Sequence, residues 1–422
     1  MSSHYCLFPL FFLTLSTLSH SSSSSYLKLP LLPGTTLPHT LAASLRRPQS
    51  PLTSGAATGS GQYFADLRLG SPPQRLLLVA DTGSDLVWVK CSACRNCSKT
   101  RSTFLPRHSS SFSLTHCYDS LCQLVPHPQP QHCNNRSRTH TPCHYQYSYA
   151  DSSTTRGLFS KETTTFNTAT ITNITFGCGF KTSGPSVTGS SFNGAQGVLG
   201  LGRGPISFTS QLARKFGNTF SYCLLDYTLS PPPKSYLTIG SPPNDTVSRS
   251  YTPLLTNPFS PSFYYITILR VSVDAVNLKI DPSVWRIDAN GNGGTVVDSG
   301  TTLTFLAEPA YRLLLAAFRR RLRLPAVDAA AFGFDLCVNV SATARPRLPR
   351  LRFRLAGKAV LSPPAGNYFI EPVEGVKCLA VQPVRPGSGF SVMGNLMQQG
   401  YLFEFDLDRS RIGFSRRGCA VR

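Results

Sequence analysis

The fold of this chain is decided by residues 61–91, GQYFADLRLGSPPQRLLLVADTGSDLVWVKC, and by residues 291–306, GNGGTVVDSGTTLTFL. In both stretches a short apolar run, typical of a β-strand, leads into an aspartate, Asp81 or Asp298, and then into a tight glycine turn. The Gly-Ser-Pro-Pro break in the first stretch predicts a strand, a turn and two further strands. Because the two aspartates lie about half the chain apart, we expect two lobes that each donate one carboxylate from an equivalent loop.

The residues around each aspartate have the properties of a catalytic loop. A glycine two positions later lets the backbone turn sharply, and short hydroxyl side chains can hydrogen-bond to the carboxylate and hold it in place. The supporting residues are Thr82, Gly83, Ser84, Ser299, Gly300 and Thr301. One such motif alone is equally compatible with a turn closed by an Asx hydrogen bond. Two copies, each behind an apolar strand, favour catalysis by Asp81 and Asp298.

These motifs resemble those of the pepsin family of aspartic proteases, and within it the plant nepenthesin-like branch, from about Gly61 to the C-terminus. GVLGLGRGPISF at residues 197–208 and SVMGNLMQQGYLFEFDLDRSRIGF at residues 391–414 are similar to the stretches that follow the two aspartates in this family. The resemblance implies an all-β, bilobal pepsin-like fold with two β-barrel-like lobes around a central cleft and a few short helices. The many Phe, Tyr, Gly and Pro residues also favour short strands joined by turns.

A flap over the cleft is implied by YQYSYADSSTTRG, which resembles the family's hairpin flap with Tyr149 in the position of its tyrosine. Trp88 matches the tryptophan whose indole hydrogen-bonds to that tyrosine. Without the resemblance, both residues are compatible with ordinary strand aromatics. Ala150 and Ser152 replace two glycines that are usual in the branch, which predicts a stiffer flap.

The chain of 422 residues is too long for one core, so two domains with processed ends are expected. An apolar stretch before a serine-rich segment predicts a signal peptide at residues 1–24, followed by a propeptide or linker at residues 25–60. The folded part is expected to begin near residue 61. The N-terminal lobe is predicted at residues 61–238, with the first aspartate, a cysteine-rich insert and the flap, and the C-terminal lobe at residues 239–422, with the second aspartate.

This leader predicts a secreted zymogen, located in the cell wall or apoplast, or in the vacuole. An acid-poor, serine-rich start also fits a plastid or mitochondrial transit peptide, which stays open. Sequons at Asn96, Asn135, Asn173, Asn244 and Asn339 are compatible with a glycoprotein. No segment beyond the leader is long and apolar enough to predict a membrane span.

Cysteine usage indicates an oxidising compartment. Of the thirteen cysteines, Cys6 lies in the predicted signal peptide, and the remaining even number suits a disulfide framework. The resemblance implies the pairs Cys91 with Cys94, Cys97 with Cys178, Cys117 with Cys143, Cys122 with Cys133, Cys223 with Cys419, and Cys337 with Cys378. A zinc knuckle built on CSACRNC is the alternative, although no second ligand cluster with suitable spacing accompanies it.

A formal net charge of +21 favours acidic partners, such as an acidic cell-wall polysaccharide. YRLLLAAFRRRLRL, starting at Tyr311, has apolar residues at helical spacing with the arginines mostly on the other face, which predicts a solvated helix. No recognition motif accompanies the charge, so no nucleic-acid partner is expected. A monomer is the family expectation.

The expected chemistry is hydrolysis of protein or peptide substrates at acid pH, without a metal or cofactor. Two carboxylates about 3 Å apart cannot both ionise easily, so the pair holds one shared proton. The ionised member then activates a water and the protonated member donates to the scissile carbonyl. The alternative function is a catalytically silent binding protein or an inhibitor of microbial glycanases, which need not keep either aspartate.

Overall fold

The computed structural model describes residues 27–33, 61–95, 103–128, 141–166, 169–188, 192, 195–226, 235–242, 246–343, 345–384 and 389–419. Within these ranges most regular structure is β-strand and the helices are few and short, which confirms the predicted all-β class. The predicted signal peptide and residues 34–60 of the predicted propeptide lie outside the described residues.

The strands of the N-terminal half are β1 (Leu27–Pro33), β2 (Tyr63–Leu69), β3 (Gln74–Asp81), β4 (Trp88–Arg95), β5 (Ser113–Leu114), β6 (His144–Ser148), β7 (Thr154–Phe166), β8 (Ala169–Ser183), β9 (Gly197–Gly200), β10 (Thr219–Cys223) and β11 (Ser235–Ile239). The later strands are β12 (Ser250–Pro253), β13 (Tyr265–Ile266), β14 (Ile268–Val273), β15 (Val276–Asn277), β16 (Thr295–Val297), β17 (Thr304–Leu306), β18 (Ala326–Val327), β19 (Cys337–Asn339), β20 (Leu351–Leu355), β21 (Val360–Leu361), β22 (Phe369–Val373), β23 (Val376–Leu379), β24 (Val381–Pro383), β25 (Ser391–Met393), β26 (Leu402–Asp406) and β27 (Arg411–Ser415).

The α-helices are α1 (Pro185–Thr188), α2 (Phe208–Phe216), α3 (Glu308–Arg321) and α4 (Asn395–Gln398). Short 3-10 helices lie at Pro106–His108, Ser120–Leu124, Pro282–Trp285, Ala330–Phe332, Ala356–Lys358, Ala365–Asn367 and Arg417–Cys419. Helix α3 buries Tyr311, Leu314 and Phe318 and exposes Arg312 and Arg319, as the helical spacing predicted.

The largest sheet joins the two halves of the chain. It contains 14 strands in the order β12-β27-β26-β10-β11-β1-β2-β3-β9-β4-β8-β7-β5, and β6 pairs with β7. Strands β26 and β27 come from the C-terminal end yet pair beside β10, so the sheet crosses the predicted lobe boundary after residue 238, which falls inside β11. Three smaller sheets, β13-β16-β25-β17-β24, β15-β14-β20-β21 and β18-β19-β23-β22, belong to the C-terminal half.

The N-terminal strand β1 corrects the expectation that the folded part begins near residue 61. It lies between β11 and β2 and pairs with both. Leu27, Leu29 and Leu31 are at most 5% exposed and belong to the main core. The stretch LKLPL alternates with the period of a strand, but the pattern is short and lies within a segment rich in Pro and Ser, which does not predict a strand.

Two of the expected disulfides, Cys223–Cys419 and Cys337–Cys378, are present. The second joins residues that are directly opposite on β19 and β23.

The pairings expected in the cysteine-rich insert are wrong. Cys91 is bonded to Cys178 and Cys122 to Cys143, which excludes Cys91–Cys94, Cys97–Cys178, Cys117–Cys143 and Cys122–Cys133. Parallel pairing of β4 with β8 brings Cys178 beside Cys91, and this contact depends on strand order rather than on sequence spacing. Cys117 is also disulfide-bonded. The side chains of Cys94, Cys97 and Cys133 lie outside the described part of the chain.

The disulfide of Cys91 also removes the zinc knuckle, because its sulfur is unavailable as a ligand. Among the described residues, one group of potential ligands clusters closely, namely Cys122, His127 and Cys143, but its two sulfurs are bonded to each other. Within the described ranges, no helix has the length and apolar character needed to cross a membrane.

Candidate active site

The two aspartates end equivalent strand arrangements. Asp81 is the last residue of β3, which pairs in parallel with β9, and Asp298 directly follows β16, which pairs in parallel with β25. In the N-terminal half, β9 also pairs antiparallel with β4, the strand after the aspartate loop. In the C-terminal half, β25 pairs antiparallel with β17 in the same way. Each carboxylate is thereby fixed on a rigid strand end rather than on a free loop.

The two loops are bonded to each other through Thr82 and Ser299. The Thr82 N–H donates to Ser299 Oγ over 3.1 Å, and the Ser299 N–H donates to Thr82 Oγ1 over 2.9 Å. Each hydroxyl then donates to the opposite strand, Thr82 Oγ1 to the Val297 carbonyl and Ser299 Oγ to the Ala80 carbonyl. Both side chains are buried, so these reciprocal bonds set the relative position of the aspartates.

Each carboxylate accepts hydrogen bonds from the same two kinds of donor, a glycine N–H and a hydroxyl side chain. Asp81 accepts from the Gly83 N–H over 2.9 Å and from Ser84 Oγ. Asp298 accepts from the Gly300 N–H over 2.8 Å and from Thr301 Oγ1 over 2.5 Å. The sequence predicted these supporting roles for the loop residues, and the structure places every one of them at the dyad.

The glycines of the two motifs allow the carboxylates to approach. A Cβ on Gly83 would lie 2.8 Å from Asp298 Oδ2, and a Cβ on Gly300 would lie 2.2 Å from Asp81 Oδ1. Any larger side chain would separate the lobes at this point. The glycine in each motif is therefore required by the opposite aspartate as well as by the turn.

Burial and mutual repulsion keep a proton on the pair. Asp81 is 8% exposed, and burial, followed by the charge of Asp298, raises the pKa of Asp81 to about 8. Two neighbouring carboxylates that resist joint ionisation can supply an acid and a base from one site.

The flap is the hairpin of β6 and β7. The Tyr149 N–H donates to the Ser153 carbonyl, and the Ser152 N–H donates to the Tyr149 carbonyl, which closes the turn. Trp88 Nε1 donates to the Tyr149 hydroxyl over 2.6 Å, as the resemblance implied. Ser152 has a φ of 65°, a left-handed conformation that favours glycine, so the replacement at this position carries backbone strain. Ala150 is exposed beside it at the cleft.

Trp88 has a support that the sequence did not predict. Its indole stacks on Phe192 at 5.9 Å, and the Phe192 ring lies 4.6 Å from the Lys90 ammonium. Lys90 is fully buried, and this burial lowers its pKa to about 8. Lys90 also donates to the Ala195 carbonyl over 3.4 Å. A lysine two positions after Trp88 gave no sequence signal, because its burial depends on tertiary contacts such as that with the Phe192 ring.

Asp85, buried next to the first aspartate loop, is a second residue that the sequence did not predict. Its carboxylate accepts from the Gly204 N–H over 2.8 Å and from Ser262 Oγ of the C-terminal half. Its N–H donates to the Tyr147 hydroxyl over 3.1 Å, which connects the flap to the same point. Burial raises the pKa of Asp85. A Cβ on Gly204 would lie 2.1 Å from this carboxylate, so the close contact requires glycine at this position.

The cleft between dyad and flap has a volume of about 460 Å³ and is lined by both halves of the chain. Its apolar walls include Val79, Phe192, Val198, Phe259, Phe263 and Phe390. Asp81, Asp298 and Tyr149 all face this space. The arrangement can hold an apolar, extended ligand against a paired acid and base.

Comparisons with known proteins agree with this geometry. The N-terminal model of the xylanase inhibitor family matches residues 63–241, and the C-terminal model matches residues 263–416. Aspartic proteinase nepenthesin-1 of Nepenthes gracilis is 38% identical over 385 residues, covering 90% of this chain and 83% of that protein. The chain belongs to the pepsin-like aspartic protease family. Within the family it is similar to the plant nepenthesin-like branch, as the sequence motifs implied.

Further relatives of this pepsin-like chain are consistent with that placement. Aspartyl protease family protein 2 of Arabidopsis thaliana is 38% identical over 375 residues, covering 88% of this chain and 74% of that protein. Among solved structures, edgp superposes with a TM-score of 0.69 at 23% identity, covering 93% of this chain and 95% of that chain. Basic 7S globulin from soybean superposes with a TM-score of 0.66 at 20% identity, covering 93% and 97%. These structural likenesses show the bilobal pepsin-like fold.

Proposed function

We propose that the protein is an aspartic endopeptidase that hydrolyses peptide bonds with a water held between Asp81 and Asp298. The observation that carries this proposal is the complete dyad, with both carboxylates bonded by matching donors on loops that Thr82 and Ser299 hold together. A protein that only binds a partner has no need for two paired carboxylates that share a proton. Relatives that are named as proteases, and of which 74% and 83% is covered, support the same conclusion.

The reaction follows from the protonation of the pair. Because burial raises the pKa of Asp81, the pair keeps one proton, and its ionised member accepts a proton from the water as the water oxygen bonds to the scissile carbonyl carbon. The protonated member donates its proton to the carbonyl oxygen, so the intermediate is a neutral gem-diol. Transfer of a proton to the amide nitrogen then allows the C–N bond to break, and one gem-diol hydroxyl returns its proton to the pair. Atoms and charges balance without a covalent enzyme intermediate.

The flap and the cleft define the substrate class. Tyr149, held by Trp88, covers the dyad and limits access of bulk water to the reacting bond. The apolar cleft walls suit protein or peptide substrates with apolar side chains beside the scissile bond. Activity requires one proton on the pair, which sets an acid optimum and a loss of activity as that proton dissociates.

A binding function is the second candidate, favoured by one observation. Both matching family models are described by xylanase inhibition rather than by proteolysis. Under this alternative the protein would inhibit a microbial glycanase, and the intact dyad would have no role. The two functions are separated by assaying the same preparation against both kinds of target.

Export through the secretory route is part of the proposal. The disulfides Cys91–Cys178, Cys122–Cys143, Cys223–Cys419 and Cys337–Cys378 suit an oxidising compartment, and the apolar leader at residues 1–24 suits a signal peptide. The sequon residues Asn173 and Asn339 are exposed, as glycosylation requires.

The test is cleavage of a denatured protein at acid pH, with and without a statine-type inhibitor, beside a xylanase inhibition assay. Inhibitor-sensitive cleavage with no effect on xylanase supports the endopeptidase. Xylanase inhibition without any cleavage, in the wild type and in Asp81→Asn alike, would support the binding protein instead.

A further inference from the structure

An arginine surface lies on the C-terminal half, on the sheet β15-β14-β20-β21. Residues 345–358, RPRLPRLRFRLAGK, carry basic residues at nearly alternating positions and contain no acid. Along β20 the burial alternates, because Leu351, Phe353 and Leu355 are at most 1% exposed, whereas Arg352 and Arg354 are exposed. The period of two therefore places both arginines on the outer face of the sheet.

Strand pairing extends this surface across β14. Arg270, exposed on β14, lies directly opposite Arg354, and Ser272 lies opposite Arg352. The buried pair Val271 and Phe353 lies between them on the inner face. Lys279 is exposed on the adjoining segment. Its neighbour Leu278 donates its N–H to the Val271 carbonyl and packs against the core. Together, Arg270, Arg352, Arg354 and Lys279 form what we call the arginine face.

The arginine face lacks counterions within the described part of the chain. None of its four side chains forms an ion pair with a described carboxylate. Asp274, at the end of β14, accepts instead from the Arg350 N–H over 2.9 Å and lies 3.7 Å from Arg321. Like charges directly opposite on neighbouring strands destabilise a sheet, so the Arg270 and Arg354 pair is retained at a cost that a bound anion would offset.

We propose that the arginine face binds an acidic polysaccharide with a carboxylate on each sugar. Guanidinium groups bind carboxylates in a planar, bidentate geometry that lysine does not match. A strand spaces alternate residues by about 6.6 Å, and two adjacent strands give two rows, which suits a linear polymer with regularly repeated charges. Binding of a polysaccharide at this face would not depend on catalysis at the dyad.

Other polyanions fit the arginine face less well. Phe353, between the two arginines of β20, is buried on the inner face, so the described residues of the sheet offer no exposed ring there on which a nucleic-acid base could stack. Among the described residues of this sheet, the large apolar side chains that are exposed are Leu269, Val276 and Val360, and three separate aliphatic groups are too few for a lipid surface. Disulfide-bonded proteins also reside in compartments where extracellular polysaccharides are available.

The experiment measures binding of polygalacturonate to the full chain at about pH 6, where its carboxylates are ionised. The test variant is Arg270→Gln with Arg352→Gln and Arg354→Gln. The matched control, Arg214→Gln with Arg320→Gln and Arg323→Gln, removes the same charge from exposed arginines elsewhere. We expect the test variant to bind at least about tenfold more weakly and with a smaller dependence on salt, and the control to bind as the wild type does. The single variant Arg354→Gln gives the same test with minimal change to the fold.

Equal losses in both triple variants would show attraction by net charge alone and would overturn the proposal. It would also be overturned if single-stranded DNA or anionic lipid vesicles bound through these arginines more tightly than polygalacturonate. Neutral dextran serves as the polymer control and is expected not to bind.

Discussion

Thr82 and Ser299 exchange hydrogen bonds between the two halves of the chain, with distances of 3.1 Å and 2.9 Å from each N–H to the opposite hydroxyl. Because both hydroxyls also donate to carbonyls of the opposite strands, four bonds connect the two aspartate loops. The geometry of the dyad therefore depends on these two side chains as well as on the aspartates.

Replacing Thr82 with Val removes a buried hydroxyl and leaves the Ser299 N–H without its acceptor. We expect a loss of about 1–3 kcal/mol in the free energy of unfolding, measured by urea denaturation, because a buried donor loses its partner. Adding Ser299→Ala to this variant should cost a further, similar amount, because the Ser299 hydroxyl makes two bonds of its own, with the N–H of residue 82 and with the Ala80 carbonyl. Thr256→Val, at an exposed position, is the control, and an equal loss there would contradict the assigned role.

Replacing Trp88 with Phe removes the N–H that donates to Tyr149 while keeping an aromatic ring against Phe192. One hydrogen bond is worth about 0.5–1.5 kcal/mol, so kcat/KM for a peptide should fall by about two- to tenfold. Trp285→Phe changes the other indole, which lies in the core far along the chain, and should leave kcat/KM unchanged apart from any loss of folded protein. A wild-type value of kcat/KM in Trp88→Phe would show that the indole N–H does not contribute to positioning of the flap.

Ser152 tests the strain in the flap. At φ 65° a glycine is unstrained, whereas a β-branched residue is strongly disfavoured. Ser152→Gly should leave the melting temperature nearly unchanged, because relief of strain offsets the greater entropy of the unfolded chain. Ser152→Val should lower the free energy of unfolding by about 1–2 kcal/mol. Equal thermal stability of the two variants would show that the flap turn does not impose this backbone conformation.

The raised pKa values of Asp81 and Asp85 predict how stability depends on pH. A buried carboxyl with a raised pKa binds its proton more tightly in the folded state, so folding is favoured at low pH. Stability from this source falls as pH rises from the ordinary aspartate value of 3.8 towards about 8, the pKa of Asp81. Asp81→Asn should flatten the slope of unfolding free energy over this range. A slope that stays equally steep in the variant would assign the dependence to other groups.

Local motifs made the dyad predictable from the sequence, whereas contacts made by tertiary structure were not. The roles of Asp81 and Asp298 can be predicted because the apolar strand, the aspartate and the glycine turn are contiguous in the sequence. The bonding of Cys91 to Cys178 depends on the pairing of β4 with β8, which sequence spacing does not encode. The contact of Asp85 with Ser262 likewise requires the two halves to be assembled.

The N-terminal strand illustrates the same limit. Leu27, Leu29 and Leu31 form an alternating pattern that is too short to predict a strand by itself. The strand is stabilised by pairing with β11 and β2, which are distant in the sequence. Arg270 and Arg354 are far apart in the sequence, so their direct opposition depends on the register of β14 and β20, which the sequence does not predict.

The central claim is that Asp81 and Asp298 act as one unit. Its most direct measurement is kcat/KM for a peptide from about pH 2 to 10 in the wild type, Asp81→Asn, Asp298→Asn and the double variant, because this range spans the titration of such dyads and the pKa of about 8 for Asp81. We expect a bell-shaped profile for the wild type, a loss of at least about 100-fold in each single variant, and a double variant hardly less active than either. Substantial activity in either single variant, or losses that multiply in the double variant, would contradict catalysis by a shared-proton pair.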